Sequence, residues 1–282
     1  KPSMPGLDIR NARNRIENIS ALPTVPGTLK RISGIIEKPR LALEEISRFV
    51  ASDPALTSKV LKMVNSAVYG FPGRISSVPH AIMLLGLNVV KGLLLGVSVF
   101  DIMQKVMGGL WEHSVACAVV SRSIAEKMKV KDPEEVSVSG LLHDMGKVIL
   151  MLEYQEQYQE AMRSAESRQL PISQTEKEIF QETHAAVGMW LSQKWRFPAN
   201  LVEAMAYHHS PSLAKIAPME TAVVHLADGL VRARGVGFAG DPFVPAVDPA
   251  AFDLLGLSDG DIRDVLAALE KSIEQDADLS LT

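Results

Sequence analysis

Apolar residues recur at helical spacing along nearly the whole chain. In LALEEISRFVASDPALTSKVLKMVNSAVYG, Leu43, Ile46 and Val50 share one face. Asp53-Pro54 then reads as an N-cap followed by a first-turn proline. The helix opened there is expected to run to about Tyr69-Gly70, where FPGR makes a turn. Ser77 or Val78 leads into a long apolar helix. Further helices are predicted over about 110–128, 134–151, 153–168, 172–180, 184–195, 198–209, 218–235 and 259–275. No alternating strand pattern flanked by turns is evident. The stretch 236–252, rich in Gly and Pro, reads as a loop. The last helix has a Ser cap and a stripe of Ile262, Val265, Leu266, Leu269 and Ile273.

This pattern predicts an all-α, two-lobed helical bundle. The expected divisions are an N-terminal segment at 1–19, a first lobe at 20–105, a second at 106–235, and a loop with a C-terminal helix at 236–282. The lobe boundary is placed in DIMQKVMGGL, because six of the seven histidines lie beyond it. A chain of 282 residues is long enough for a large core.

Composition narrows the function classes. A net charge of -4 argues against a broad nucleic-acid footprint, so nucleic acid is not an expected partner. The single cysteine, Cys117, excludes an internal disulfide and fits a reducing compartment. The N-terminus has no apolar core of the signal-peptide kind. Residues 81–100 are nearly long enough to span a bilayer, but Asn88 and Lys91 interrupt them; they read as a buried core helix. The expected location is cytoplasmic, with no membrane span.

The candidate chemistry centres on SGLLHDMGKVIL. Charged groups inside such an apolar run need partners. A His-Asp neighbour alone is weak evidence, since roughly one chain in three of this composition carries one by chance. Its company is more informative: His113 on the preceding helix, His184 opening a later one, the pair His208-His209, and Asp228 within TAVVHLADGLV. Nitrogen and oxygen donors without thiolate suit Fe, Mn, Ni or Zn. Seven candidates exceed one tetrahedral ion and match two divalent transition-metal ions bridged by Asp144. Two ions so placed would clamp a phosphoester and activate water. Lys147, three residues on, is positioned as a phosphate-holding point charge. Taken singly, His113 is better read as a partly buried histidine bonded to a neighbour. His225 is either a group that orients a ligand or a core histidine, and His80 is a capping or surface residue.

Three elements, DPAL at 53–56, NSAVYG at 65–70 and AIMLLG at 81–86, together with LPTVPGTL at 22–29, resemble the HDOD module of bacterial signalling proteins. With the histidine-bearing half, the resemblance covers about residues 20–235. It implies a helical lobe packed on an HD-like helical lobe, in a family of regulators many of which have lost their metal ligands. Here His113, His143-Asp144 with Lys147, His184, His208-His209 and Asp228 follow the order of HD-GYP phosphodiesterases. Carried over, they become seven metal ligands plus Asp144 and Lys147 as catalytic groups, with iron the first expectation. Two departures are visible. No Gly-Tyr-Pro element follows the paired histidines, which puts cyclic di-GMP in doubt. Gly109 stands where some relatives place a third-metal Glu, which favours two ions. The resemblance supports a signalling module with a dinuclear centre, or a phosphohydrolase acting on a nucleotide or other phosphoester. Signalling proteins or a phosphoester ligand are the expected partners.

Overall fold

The computed structural model describes residues 13–14 and 25–275, apart from 67, 70 and 72. The expected N-terminal segment 1–19 lies outside these except for residues 13 and 14. No strand occurs among the described residues, and the fold is all-α.

The first helices are α1 (Gly27–Ile36), α2 (Leu43–Ala51), α3 (Pro54–Val64), α4 (Val78–Leu85) and α5 (Leu87–Val106). Asp53 caps α3 by accepting the Leu56 N–H at 3.0 Å. The helix ends at Val64 rather than near Tyr69. Asn65 stops it by bonding outward: its side chain donates to the Ile75 carbonyl at 2.8 Å and accepts the Ile75 N–H at 2.7 Å. Those bonds tie the helix end to the segment that leads into α4, so the chain turns instead of continuing. The apolar run also divides in two, at Gly86. Its second half, α5, is the one described helix long and apolar enough to cross a membrane, yet 72% of that window is buried. Lys91 reaches out of it to the carbonyls of Trp195 and Arg196, which satisfies its ammonium inside the fold.

Beyond α5 come α6 (Leu110–Lys127), α7 (Pro133–Leu142), α8 (Met145–Glu153), α9 (Gln155–Arg168), α10 (Ile172–Phe180), α11 (His184–Lys194), α12 (Ala199–Tyr207) and α13 (Pro218–Arg234). A last pair follows, α14 (Pro249–Leu255) and α15 (Asp259–Gln275). The single helix expected over 134–151 is two, broken at His143-Asp144, where Asp144 sits at φ -95°, ψ 8°. The loop expected over 236–252 ends earlier, because Asp248 caps α14 through the Ala250 and Ala251 N–H groups. On α15, Val265 and Leu269 are buried in a core shared with α6 and α13.

One continuous core runs from Val25 through α5 to Met205. Helix α5 is its spine, with α1, α3 and α4 on one side and α7 and α8 on the other. Trp195 stitches the same junction, its Nε1–H donating to Ser33 Oγ at 2.8 Å.

Candidate metal centre

The break between α7 and α8 turns His143 and Asp144 inward instead of along a helix face. A glycine enables the packing around them. A Cβ on Gly146 would stand 2.0 Å from the His184 carbonyl oxygen, so only glycine lets the start of α11 reach Asp144. The paired histidines lie just past α12, in a turn, and Asp228 projects from the buried face of α13.

All seven sequence-selected donors converge, and they fall into two groups about Asp144. In the first, His113 Nε2 lies 3.4 Å from His143 Nε2 and 3.3 Å from Asp228 Oδ1. In the second, His184 Nε2 lies 3.3 Å from His208 Nε2 and 3.0 Å from His209 Nε2. Asp144 faces both. Its Oδ2 is 3.4 Å from His143 Nε2, and its Oδ1 is 3.2 Å from His184 Nε2. Six of the seven side chains are buried and His209 is half-buried.

The second nitrogen of three rings fixes their tautomer. His143 Nδ1–H donates to Gly140 O, His208 Nδ1–H to Met205 O and His184 Nδ1–H to Glu176 Oε2, at 2.7, 2.7 and 2.6 Å. In their neutral forms all three present Nε2 lone pairs to the interior. The lone pairs of His184 and His208 therefore face each other with no proton between them, an arrangement that a cation relieves. The carboxylates tell the same story: Asp144 Oδ1 and Asp228 Oδ1 are buried with no hydrogen-bond donor among the described residues. Two donors each about 2.0–2.1 Å from a tetrahedral ion are separated by about 3.3–3.4 Å. The His113–His143, His113–Asp228 and His184–His208 separations match that, so the donor set fits a divalent metal.

Electrostatics point the same way. Burial pushes the Asp144 carboxyl up, but the surrounding His143, Lys147 and His184 outweigh it and hold it well below the usual range. Burial likewise opposes ionisation of Asp228, and His113 outweighs it. Burial and neighbouring imidazoles push His208 and His209 well down, which leaves them neutral and ready as ligands. Burial also lowers His184, but Glu176 more than compensates and raises it.

One group beside the centre, Glu176, escaped the sequence. Glu176 is buried, accepting His184 N–H and Nδ1–H on one oxygen and the Tyr158 hydroxyl on the other. It sits in the polar run SQTEKEIF, which reads as a solvated helix, so nothing local marks it. His225 donates from Nδ1 to the His208 carbonyl and accepts the Asp248 N–H on Nε2, so it orients the backbone of a candidate ligand. Cys117 Sγ lies 3.5 Å from His113 Nε2 and 4.0 Å from Nδ1. These near-equal distances place the sulfur against the ring rather than in line with the Nε2 lone pair. Burial raises its thiol pKa, so it packs there as a small apolar group.

Lys147, expected to hold a phosphate oxygen, donates to Asp144 Oδ2 at 2.6 Å and to the Ala239 carbonyl at 2.8 Å. Ala239 belongs to the strap 236–248, which crosses the centre. Phe238 N–H donates to Gly109 O at 2.9 Å, and a Cβ on Gly109 would meet Phe238 N at 2.8 Å. The strap thus fills the space in which a glutamate at position 109 would have to lie.

Residues 22–211 match the model of the HDOD domain family. An uncharacterized protein of Treponema pallidum (strain Nichols) is 25% identical over 201 residues, 69% of this chain but 39% of that protein, so the chain spans about two fifths of its relative. Among solved structures, an HDOD domain protein of unknown function from Geobacter sulfurreducens is 27% identical with a TM-score of 0.70, covering 97% of this chain and 98% of that one. A protein of Shewanella amazonensis SB2B, provisionally named a phosphohydrolase, has a TM-score of 0.69 over 99% of this chain and 100% of its own; at 17% identity the likeness is one of fold.

Proposed function

The chain belongs to the HDOD family, and we propose that it is a signalling module of that family built around a dinuclear centre of divalent transition metal. One observation carries this reading: the two oxygens of Asp144 stand between two inward-facing donor groups, His113, His143 and Asp228 on one side and His184, His208 and His209 on the other. Asp144 would bridge, and the six other residues would complete the two sites. Bound metal would supply Lewis acidity and charge at this position. Iron is the first candidate, and Mn, Ni and Zn suit the same donors. The chain's own contribution is to hold the imidazoles in the Nδ1–H tautomer and to exclude bulk water. Enclosure favours a regulatory role, because Lys147 is tied to the strap and the donors lie almost wholly inside. The strap and the helices around it would then convey the state of the centre to a signalling partner.

A second reading, a metal-dependent phosphohydrolase, draws support from one feature: a cavity of about 210 Å³ reaches His209 from the surface. Elemental analysis of native protein and Asp144→Ala tests the centre. About two ions per chain, lost in the variant, are expected; a native protein that stays metal-free after anaerobic reconstitution overturns the proposal. Hydrolysis of phosphoesters by loaded protein, abolished in Asp144→Ala, would select the second reading.

A further inference from the structure

The cavity beside His209 lies between the start of α10 (Pro171, Ile172, Ser173) and Arg232 of α13, under Asp241 and Phe243 of the strap. Asp241 is 4% exposed. One of its oxygens accepts the Ile172 N–H, at the N-terminus of α10, at 2.8 Å. The other accepts the Phe243 N–H at 2.9 Å and an N–H from the Arg232 guanidinium. A helix N-terminus, a further backbone N–H and a guanidinium directed at one point are the elements of an oxyanion site. Here a carboxylate from the chain itself fills it.

The guanidinium has capacity to spare. Its side chain is 8% exposed, and Nε is buried with no partner among the described residues. Its second acidic neighbour, Asp228 Oδ2, is 4.0 Å from Nη1, too far for a hydrogen bond. The same stretch of strap engages the other cation of the centre, since Ala239, two residues before Asp241, accepts from Lys147. Whatever displaces this stretch releases Arg232 and Lys147 together, beside the donors of the centre.

We propose that the pocket lined by Arg232, Ile172 and His209 is a binding subsite for a small phosphomonoester, occupied in this conformation by Asp241 as an internal stand-in for the ligand's phosphate. A phosphate offers an oxygen to the Ile172 N–H and two more to the guanidinium, including the unused Nε–H, which Asp241 leaves unmet. The cavity of about 210 Å³ admits a phosphate with a few further atoms, and falls below the roughly 300–1,000 Å³ typical of pockets for larger ligands. The ligand class is therefore a phosphorylated small metabolite and not a dinucleotide. This deepens the proposed function by naming what the centre senses, and rests on that reading for its biological meaning; the subsite's chemistry is present without metal.

The test is calorimetric titration of the full chain, metal-loaded and chelated, with inorganic phosphate, glycerol phosphate and adenosine monophosphate. Asp241→Asn removes the competing charge while keeping an acceptor for Ile172, and is expected to bind inorganic phosphate about tenfold more tightly than native protein, the factor one charge-assisted hydrogen bond is worth. The double variant with Arg232→Gln is expected to lose that gain. Glycerol phosphate should bind at least as well as phosphate, and the nucleotide no better than glycerol phosphate. Native protein supplies a readout free of substitution: saturating phosphate should speed amide exchange at Phe243, whose acceptor leaves, while Ile172 stays protected. Binding that is unchanged by Arg232→Gln overturns the proposal, as does a folded Asp241→Asn protein that binds no phosphate. A nucleotide that binds tenfold tighter than glycerol phosphate overturns the ligand class. Because the chelated arm needs no metal, a failed metal analysis with intact phosphate binding would sink only the centre.

Discussion

Glu176 Oε2 receives both the backbone N–H of His184, at 2.9 Å, and its ring Nδ1–H, at 2.6 Å. One carboxylate thereby sets the ring's rotation and its tautomer, and aims Nε2 at Asp144. Partners of this kind are worth about 10–100-fold in metal affinity. Glu176→Gln is expected to weaken metal retention by about that factor against a chelator, with helical content unchanged, whereas Asp144→Ala abolishes it. Equal retention in Glu176→Gln and native protein would make the contact purely structural.

Lys147 and Asp144 form a buried ion pair. Removing one partner of such a pair typically costs about 3–5 kcal/mol, because the remaining charge is left uncompensated. Lys147→Met is expected to destabilise chelated protein by about that amount in urea unfolding, and loaded protein by much less, since metal charge takes over the neutralisation of Asp144. The same loss with and without metal would show that no cation reaches Asp144.

Gly146→Ala places a methyl 2.0 Å from the His184 carbonyl oxygen, against backbone that cannot rotate away. Overpacking of this kind costs about 1–3 kcal/mol where side chains can yield, and more against main chain. The expected outcome is a lower thermal midpoint together with reduced metal content, because α11 must retreat and carry His184 with it. A variant with native stability and native metal content would show that α8 and α11 do not approach so closely.

Glu203, 8% exposed, gathers the N–H groups of Lys215 and Ile216 at 2.8 and 2.6 Å, and that of Ala217. It anchors the turn that leads into α13 and hence Asp228. Burial pushes its carboxyl up, but those three N–H donors outweigh burial and lower it. A depressed folded value means that its stabilisation is complete above the unfolded value of about 4.3 and is lost as pH falls through the folded one. Native protein should therefore lose stability on acidification below about pH 5 more steeply than Glu203→Gln, which is less stable at neutral pH by about 1–3 kcal/mol. Parallel pH profiles for the two proteins would refute the role.

Much of this protein is legible in one dimension. Helical spacing such as Leu43, Ile46 and Val50 is a local property of the chain, so the all-α class and most helix limits follow from it. Donor chemistry is equally local: Asp228 among Val, Leu and Ala demands a partner wherever the helix packs. The misplaced boundaries share a cause. Asn65 ends α3 through Ile75, ten residues away, and the α7–α8 break is stabilised by inward contacts of His143 and Asp144 that no local periodicity encodes. The division of seven donors into two groups is likewise tertiary, since His113 and Asp228 meet across two helices 115 positions apart in sequence. So are Glu176 and the strap. Their residues look solvated or loop-like until packing brings Glu176 under His184, Ala239 onto Lys147 and Asp241 onto Arg232. Sequence determines which residues can bind a cation or an anion; only the packing of the helices decides which of them face the same point.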